Sequence, residues 1–397
     1  MKNILLVTEL YPVPNGENMA SSVCHFFTKE WVKEGYNVTV IHFQPVHCWL
    51  WYWIVRHFRS YLRNKLGGLF YSHAISCTQN YEYDGVNVFR IPVYQFIPKG
   101  RMPQSSLDKF YDEVINVLSG ANFTPDIIVG HMLTPEVIPM LNTHYHAKTA
   151  MIAHGCYPKM KKRFRNYKEL IESYSSWGFR SEAIRKNFQA LYGKIDNSFI
   201  CYSGIPPRMV APGFKKSCKE IKNFIFVGEL IARKYPVELL LAINAAMGNS
   251  EYQVTYIGDG PELPRLKKAI SDKKLYNKVR LLGRIPRNEV TCELDKADVF
   301  AMISRGEAFG LVYIEAMARG CITIASRNEG IDGVIKSGEN GFLVKAGDVA
   351  ETTELISLLT KMTSEERMKI AKAGYITASR MTDHNMAIDY LQKLENI

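Results

Sequence analysis

Residues 303–317 read Ile-Ser-Arg-Gly-Glu-Ala-Phe-Gly-Leu-Val-Tyr-Ile-Glu-Ala-Met. Ahead of them, Ala297 to Ile303 is an apolar run of strand length. Behind the turn Phe309-Gly310-Leu311, the stretch Leu311 to Arg319 is built of good helix formers and stops at Gly320. A strand, a glycine turn and a helix start make an anion site, because the first backbone N–H groups of a helix lack partners and carry partial positive charge. Two carboxylates, Glu307 and Glu315, flank that turn. An acid one to two turns into the helix can accept hydrogen bonds from two ribose hydroxyls. The physical reading is a sugar-nucleotide pocket with amides on the diphosphate, Glu315 on the ribose and Glu307 facing the sugar. A pair of solvated helix-face charges is the alternative.

Outward from this segment the chain alternates strand and helix. In the first half, Ile4–Thr8 reads as a strand, Ser21–Gly35 as a helix and Asn37–Phe43 as a strand. Further apolar runs follow at 86–93, 126–131, 149–154 and 198–202. The second half repeats the scheme at 224–227, 253–257, 279–282, 299–303 and 321–325. Such alternation predicts parallel sheets covered by helices, with ligands at the strands' carboxyl ends. The proline- and glycine-rich segment 204–213 reads as an interdomain connection.

Glu-Ala-Phe-Gly-Leu-Val-x-x-Glu-Ala-Met-Ala-x-Gly at 307–320 is followed by Asn-Glu-Gly-Ile-Asp-Gly-Val-Ile and Gly-Glu-Asn-Gly-Phe-Leu-Val. Together they resemble the retaining glycosyltransferases of family 4. The match runs through most of residues 222–345, is tightest at 307–320, and is looser in the first half. It implies an α/β protein of the GT-B fold, with two doubly wound Rossmann-like domains facing across a cleft. The expected division is 1–205 for the acceptor-side domain, 206–220 for the linker and 221–382 for the nucleotide-sugar domain. A helix over 383–397 would cross back to the first domain.

The same resemblance assigns residues to that cleft. Lys234 matches a lysine on the donor diphosphate, six residues after Gly228. Glu229 stands where the family usually has an arginine, a charge reversal, and Arg233 is the nearest replacement cation. Phe309, Gly310 and Leu311 form the donor-binding turn. Arg284 and Ile285 belong to a segment whose backbone reads the base edge. Gly16 lies in the loop after strand one, where the family often shows a second glycine and this chain has Glu17. His131 matches a histidine that contacts the donor sugar near the reacting carbon, and His154 ends the next strand as a weaker candidate. Gly258, in Gly-Asp-Gly-Pro, either shapes the nucleotide pocket or is a plain structural turn. Taken singly, Lys234 reads as a surface lysine and His131 as a structural hydrogen-bonder.

Composition narrows the partners. The chain has 397 residues, 47% of them apolar, which suits two folded domains. Its formal charge of +11 asks for an anionic partner, but no recognition helix, finger or aromatic-interleaved sheet points to nucleic acid. Eight scattered cysteines without a C-x-x-C pair fit neither a disulfide framework nor a structural metal. No D-x-D triplet closes an apolar run, so no metal and no cofactor is expected, and the diphosphate charge would fall to Lys234 and helix-start amides. The N-terminus lacks signal-peptide features, which fits the cytosol.

Residues 48–66 carry Trp49, Trp51 and Trp53 in a run too short to span a bilayer, which needs about 20 apolar residues. On a helix, Trp51, Ile54, Val55 and Phe58 share one face, and Arg56, Arg59 and Arg63 the other. This fits a helix lying on an anionic membrane surface; an ordinary helix packed on the first domain is the alternative. Residues 159–168 hold six basic side chains and no acid, which suits a phosphate- or lipid-facing patch or a solvated surface. The expected activity is metal-independent, retaining transfer of a sugar from a nucleotide sugar to a lipid-linked saccharide acceptor, on the cytoplasmic face of the plasma membrane. A soluble acceptor, or a non-catalytic binding subunit of a polysaccharide assembly complex, remains open.

Overall fold

The computed structural model describes residues 2–14, 23–66, 74–95, 102–131, 136–155, 157, 160 and 167–397, with the backbone alone for 59–66. The chain divides into two compact units. One comprises Met1–Arg180, Arg185–Cys201 and Met386–Ile397, the other Ser181–Ile184 and Tyr202–Asn385.

The first unit runs β1 (Asn3–Thr8), α1 (Val23–Lys33), β2 (Asn37–Val46), α2 (Trp49–Leu66), β3 (Gln79–Tyr83), β4 (Val86–Tyr94), α3 (Gln104–Gly120), β5 (Ile127–His131), α4 (Val137–Tyr145), β6 (Lys148–Ala153), α5 (Tyr167–Glu172), β7 (Ser176–Phe179), α6 (Glu182–Tyr192) and β8 (Ser198–Ile200). Its sheet has the order β3-β4-β2-β1-β5-β6-β7-β8. Only the β3–β4 pair is antiparallel. Strands covered on both faces need unbroken apolar runs, and Ile4 to Val7 of β1 are all fully buried.

The second unit contains β9 (Asn223–Val227), α7 (Pro236–Met247), β10 (Gln253–Ile257), α8 (Leu263–Asp272), β11 (Val279–Gly283), α9 (Arg287–Lys296), β12 (Val299–Ala301), α10 (Leu311–Ala318), β13 (Ile322–Ser326), β14 (Phe342–Val344), α11 (Val349–Lys361) and α12 (Ser364–Ser379). Its parallel sheet has the order β11-β10-β9-β12-β13-β14. That is the Rossmann strand order, whose direction of progression reverses between the first and fourth strands. Here the reversal falls between β9 and β12, so the segments after Val227 and after Ala301 open at one switch point. In the first unit the corresponding pair is β1 and β5, which ends at His131.

A last helix, α13 (Asp383–Glu395), joins the first unit from Met386 onward. Ala387, Tyr390 and Leu394 are fully buried there. Tyr390 packs edge-on against Phe27 and Trp31, with ring centroids 5.0 and 5.1 Å apart, and Trp31 Nε1 donates to the Ala387 carbonyl at 3.0 Å. Burial of a side chain the size of Leu394 contributes about 1.5–3 kcal/mol by leaving water.

The structure differs from the sequence reading at three places. Residues 206–220 are part of the second unit, not a free connection. The preceding segment is hydrogen-bonded there, Ile205 N to Met381 O at 3.0 Å and Asp383 N to Ile205 O at 2.9 Å. Three short strands, β3, β7 and β14, join the sheets where no separate strand was expected. The face of α2 meant for lipid is also partly turned inward. Val55 is buried, Trp51 and Ile54 are half-buried, and Trp51 stands edge-on to His47. Burial of the apolar stripe against the unit's own body accounts for this. Trp49, Leu50, Trp53, Arg56 and His57 form the exposed arc instead, with Trp49 78% and Trp53 51% exposed. Phe58 is exposed where the helix kinks (φ −123°, ψ 23°). The side chains of Arg59 and Arg63, and most of the basic run at 159–168, lie outside the described residues.

Candidate functional site: a carboxylate–cation cluster at the switch point

The ends of β9, β10 and β11 are laced together past the strands. Gly228 N donates to Ile257 O at 2.9 Å and Gly258 N to Gly283 O at 2.7 Å. Gly258 has φ +134°, and a Cβ built on it would lie 1.9 Å from the Gly228 carbonyl oxygen. Only glycine fits a backbone approach this close. The approach fixes the turn after Gly228, which continues as a single 3₁₀ turn at Ala232–Lys234 and enters α7 through Tyr235 at φ +50°.

That turn is zipped to the segment after β12. Arg305 N donates to Arg233 O at 2.8 Å, and Arg233 Nη1 reaches the Arg305 and Gly306 carbonyls at 3.5 and 3.4 Å. The side chains then converge on Glu307. Its Oε2 lies 3.4 Å from Arg233 Nη1 and 3.6 Å from Lys234 Nζ. Lys234 and Glu307 are only 13% and 15% exposed, so their pairing is shielded from water. Gly228 leaves room for the ammonium, since a Cβ there would lie 3.1 Å from Lys234 Nζ.

Glu307 is held from behind by Glu329, a residue sequence reasoning missed. Glu307 N donates to Glu329 Oε2 at 2.9 Å, and Gly330 N returns a bond to Glu307 O at 2.9 Å. Burial raises the Glu329 carboxyl above the ordinary glutamate range, against the lowering effect of the Glu307 and Gly306 backbone N–H groups. The available signal was its place in Asn-Glu-Gly-Ile, quoted for resemblance alone.

The chain then turns into α10. Phe309 is buried and stacks on Tyr202, with centroids 5.3 Å apart. Gly310, at φ +83°, occupies the N-cap position without a side-chain cap, and a Cβ there would meet the Tyr313 ring at 2.6 Å. Tyr313 is anchored by donating to Met302 O at 2.7 Å. Leu311 and Val312 are the first residues of this uncapped helix, and Glu315 follows one turn in. Glu315 is paired with Arg287, the first residue of α9. Arg284 is exposed and Ile285 half-buried in the loop between β11 and α9. The second unit thus assembles Gly228, Arg233, Lys234, Gly258, Glu307, Phe309, Gly310, Leu311 and Glu315 around one strand-end region.

In the first unit, His131 is fully buried. Its Nδ1 lies 3.0 Å from His154 Nε2 and its Nε2 3.1 Å from the Tyr390 hydroxyl. Burial, with the charge of Arg180 adding to it, pushes both imidazoles below the usual histidine range. In this arrangement both ring nitrogens of His131 face protein partners, as a structural hydrogen-bonder would. Gly16 lies outside the described residues. Among the described residues, no three His, Cys, Asp or Glu side chains group to hold an ion. No described helix is long and apolar enough to cross a membrane.

The 2-deoxystreptamine N-acetyl-D-glucosaminyltransferase of Niallia circulans is 26% identical over 246 residues, 62% of this chain and 60% of its own. The alpha-monoglucosyldiacylglycerol synthase of Acholeplasma laidlawii is 29% identical over 39% of this chain and 42% of its own. The chain therefore matches about half the length of these curated relatives. Anabaena HepE, solved in complex with UDP and glucose, superimposes with a TM-score of 0.65 at 17% identity, covering 99% of this chain and 100% of the other. Likeness at that identity establishes the fold, GT-B. Residues 214–377 match the family described as Glycosyl transferases group 1. Most of the second unit is therefore a domain of the glycosyl transferases group 1 family.

Proposed function

We propose that this chain is a retaining, metal-independent glycosyltransferase of family 4. It moves a sugar from a nucleoside diphosphate donor to a hydroxyl of a membrane-associated, polyprenyl-diphosphate-linked saccharide in surface polysaccharide biosynthesis. The observation that carries the reading is the convergence of Lys234 and Arg233 on Glu307, beside the uncapped start of α10 and within the same switch point as Glu315. An incoming diphosphate replaces Glu307 as the partner of these cations, which releases the carboxylate to accept bonds from the sugar hydroxyls. The bond from C1 to the diphosphate breaks as an oxocarbenium-like sugar forms, and the acceptor oxygen bonds C1 on the same face. The acceptor's proton passes to the departing phosphate oxygen, so no protein nucleophile is needed. Catalysis is then positioning and electrostatics.

Two relatives lend support. One is named as the synthase of a glucosylated diacylglycerol, a glycolipid, and HepE was solved with UDP and glucose. The exposed Trp49, Leu50 and Trp53 with Arg56 suit headgroup depth on the inner face of the plasma membrane. A soluble acceptor and a non-catalytic subunit are the competing readings, the latter motivated by Glu229 in place of a cation.

The test is turnover in EDTA with a panel of nucleotide sugars and a detergent-solubilised polyprenyl-diphosphate saccharide, with the product anomer read by NMR. Transfer with the donor's anomeric configuration kept is expected. Inversion, or activity restored only by magnesium or manganese, overturns the mechanism. Equal use of the free saccharide selects the soluble acceptor. Nucleotide-sugar binding without hydrolysis or transfer selects the binding subunit.

A further inference from the structure

Residues 313–318 of α10 are all buried, and Glu315 is the only charged side chain among them. A carboxylate in that position destabilises the fold unless a partner meets it. The partner is Arg287, whose Nη2 donates to Glu315 Oε1. The acid is 9% exposed and the arginine 43%, so the guanidinium approaches Glu315 from the solvent side. Arg287 opens α9 directly after Pro286, at the end of the loop carrying Arg284 and Ile285. One ion pair therefore ties the segment expected to read the base edge to the acid expected to hold the ribose.

Resting on the proposed function, we infer that Arg287 is a positioning residue for the nucleotide. Its guanidinium fixes one oxygen of Glu315 and leaves the other, with the remaining lone pairs, for the ribose hydroxyls. Two arrangements are physically distinct, in which the nucleotide either displaces the arginine or binds beside it. Stripping the partner from a carboxylate this buried is strongly unfavourable. An ionised carboxylate offers about four acceptor sites, and a single arginine bond takes one. Retention is the favoured arrangement. Arg287 then acts through Glu315 and need not touch the ligand.

The experiment is calorimetry with UDP, GDP, ADP, CDP and TDP on the full chain, followed by the 2′- and 3′-deoxy forms of whichever ribonucleotide binds. The variants are R287A, R287K, E315A and R287A/E315A, each shown to melt cooperatively well above the calorimetry temperature, with R287A, which leaves Glu315 unpaired, expected to melt below wild type. R287A should weaken the ribonucleotide at least tenfold, and R287K should recover part of that loss. The loss should shrink toward nothing for the deoxy forms and in the E315A background. With turnover as readout, the donor KM should rise while kcat changes less than twofold. If R287A binds as tightly as wild type or tighter, or weakens ribose and deoxyribose forms equally, the inference is overturned. A lowered affinity in E315A beside a neutral R287A would leave the site reading standing and remove only the arginine's role. Absence of binding by every nucleotide to the wild type would bring down the site reading and the inference with it.

Discussion

Replacing Lys234 by alanine should weaken nucleoside diphosphate binding by at least tenfold while leaving the second unit folded. The ammonium stands 3.6 Å from Glu307 Oε2 and is largely shielded from water. When a diphosphate arrives it takes over this cation. A hydrogen bond to a charged group contributes about 1.5–3 kcal/mol, and each 1.4 kcal/mol is tenfold in affinity, so the deletion costs about 10- to 150-fold. Loss of the lysine also leaves Glu307 less neutralised, which repels the phosphates and acts in the same direction. Arg233 sets the internal comparison. Its side chain is 44% exposed and meets Glu307 at 3.4 Å, and exposed pairs contribute about 0–1 kcal/mol. R233A should therefore lose no more than about fivefold. Arginine should not rescue position 234, because the 3.1 Å between Lys234 Nζ and a Cβ at Gly228 leaves little space for a guanidinium. Calorimetry with the preferred nucleotide decides the matter. Binding of K234A within twofold of wild type, or a larger loss in R233A than in K234A, would refute the reasoning.

Three further outcomes can be measured. Gly258→Ala should lower the melting temperature by several degrees, since the new Cβ would meet a backbone carbonyl at 1.9 Å in a conformation at φ +134°, whereas Gly283→Ala, at φ +66° but with open space around it, should carry the backbone strain alone and cost less; equal shifts would show that the laced strand ends can relax. Because burial raises the Glu329 carboxyl, the native state holds its proton more tightly than the unfolded chain. Wild type should therefore lose stability relative to Glu329→Gln as pH rises from the ordinary glutamate value of 4.5, with the difference levelling off above the raised value; denaturant titrations across pH 4–7 that differ by a constant would exclude this. Changing Trp49, Leu50 and Trp53 together to serine should release the protein from anionic vesicles, while Trp51→Ser should act on stability instead; unchanged sedimentation of the triple variant with vesicles would remove the membrane proposal.

The fold was legible where hydrophobic pattern and glycine punctuation agreed. β9, β10 and β11 end within a residue of their expected limits because each apolar run is closed by a glycine. β7 escaped notice because Ser176-Trp177-Gly178-Phe179 is four residues long and half of them carry little strand preference. β3, Gln79–Tyr83, lies on a sheet edge, where polar side chains meet water and the pattern is lost. At the site, Lys234, Glu307 and Glu315 could be singled out because their types and spacing carry chemical meaning. Glu329 and Arg287 could not, since each acts on a residue distant in sequence and only the folded chain reveals the contact. On α2, helical periodicity identified an apolar stripe, of which Val55 is buried and Phe58 exposed, but could not say whether lipid or protein covers it.

The burial of Ala387, Tyr390 and Leu394 beside Trp31 has a consequence for biosynthesis. Domains usually fold in the order in which the ribosome delivers them. Here the β-sheet of the first unit must wait for a helix translated after the second unit before its interior is complete. The intervening unit, whole once Asn385 has emerged, can therefore reach its native state ahead of the one that precedes it. Until then the nascent first unit presents an open apolar seam, the kind of surface that chaperones hold.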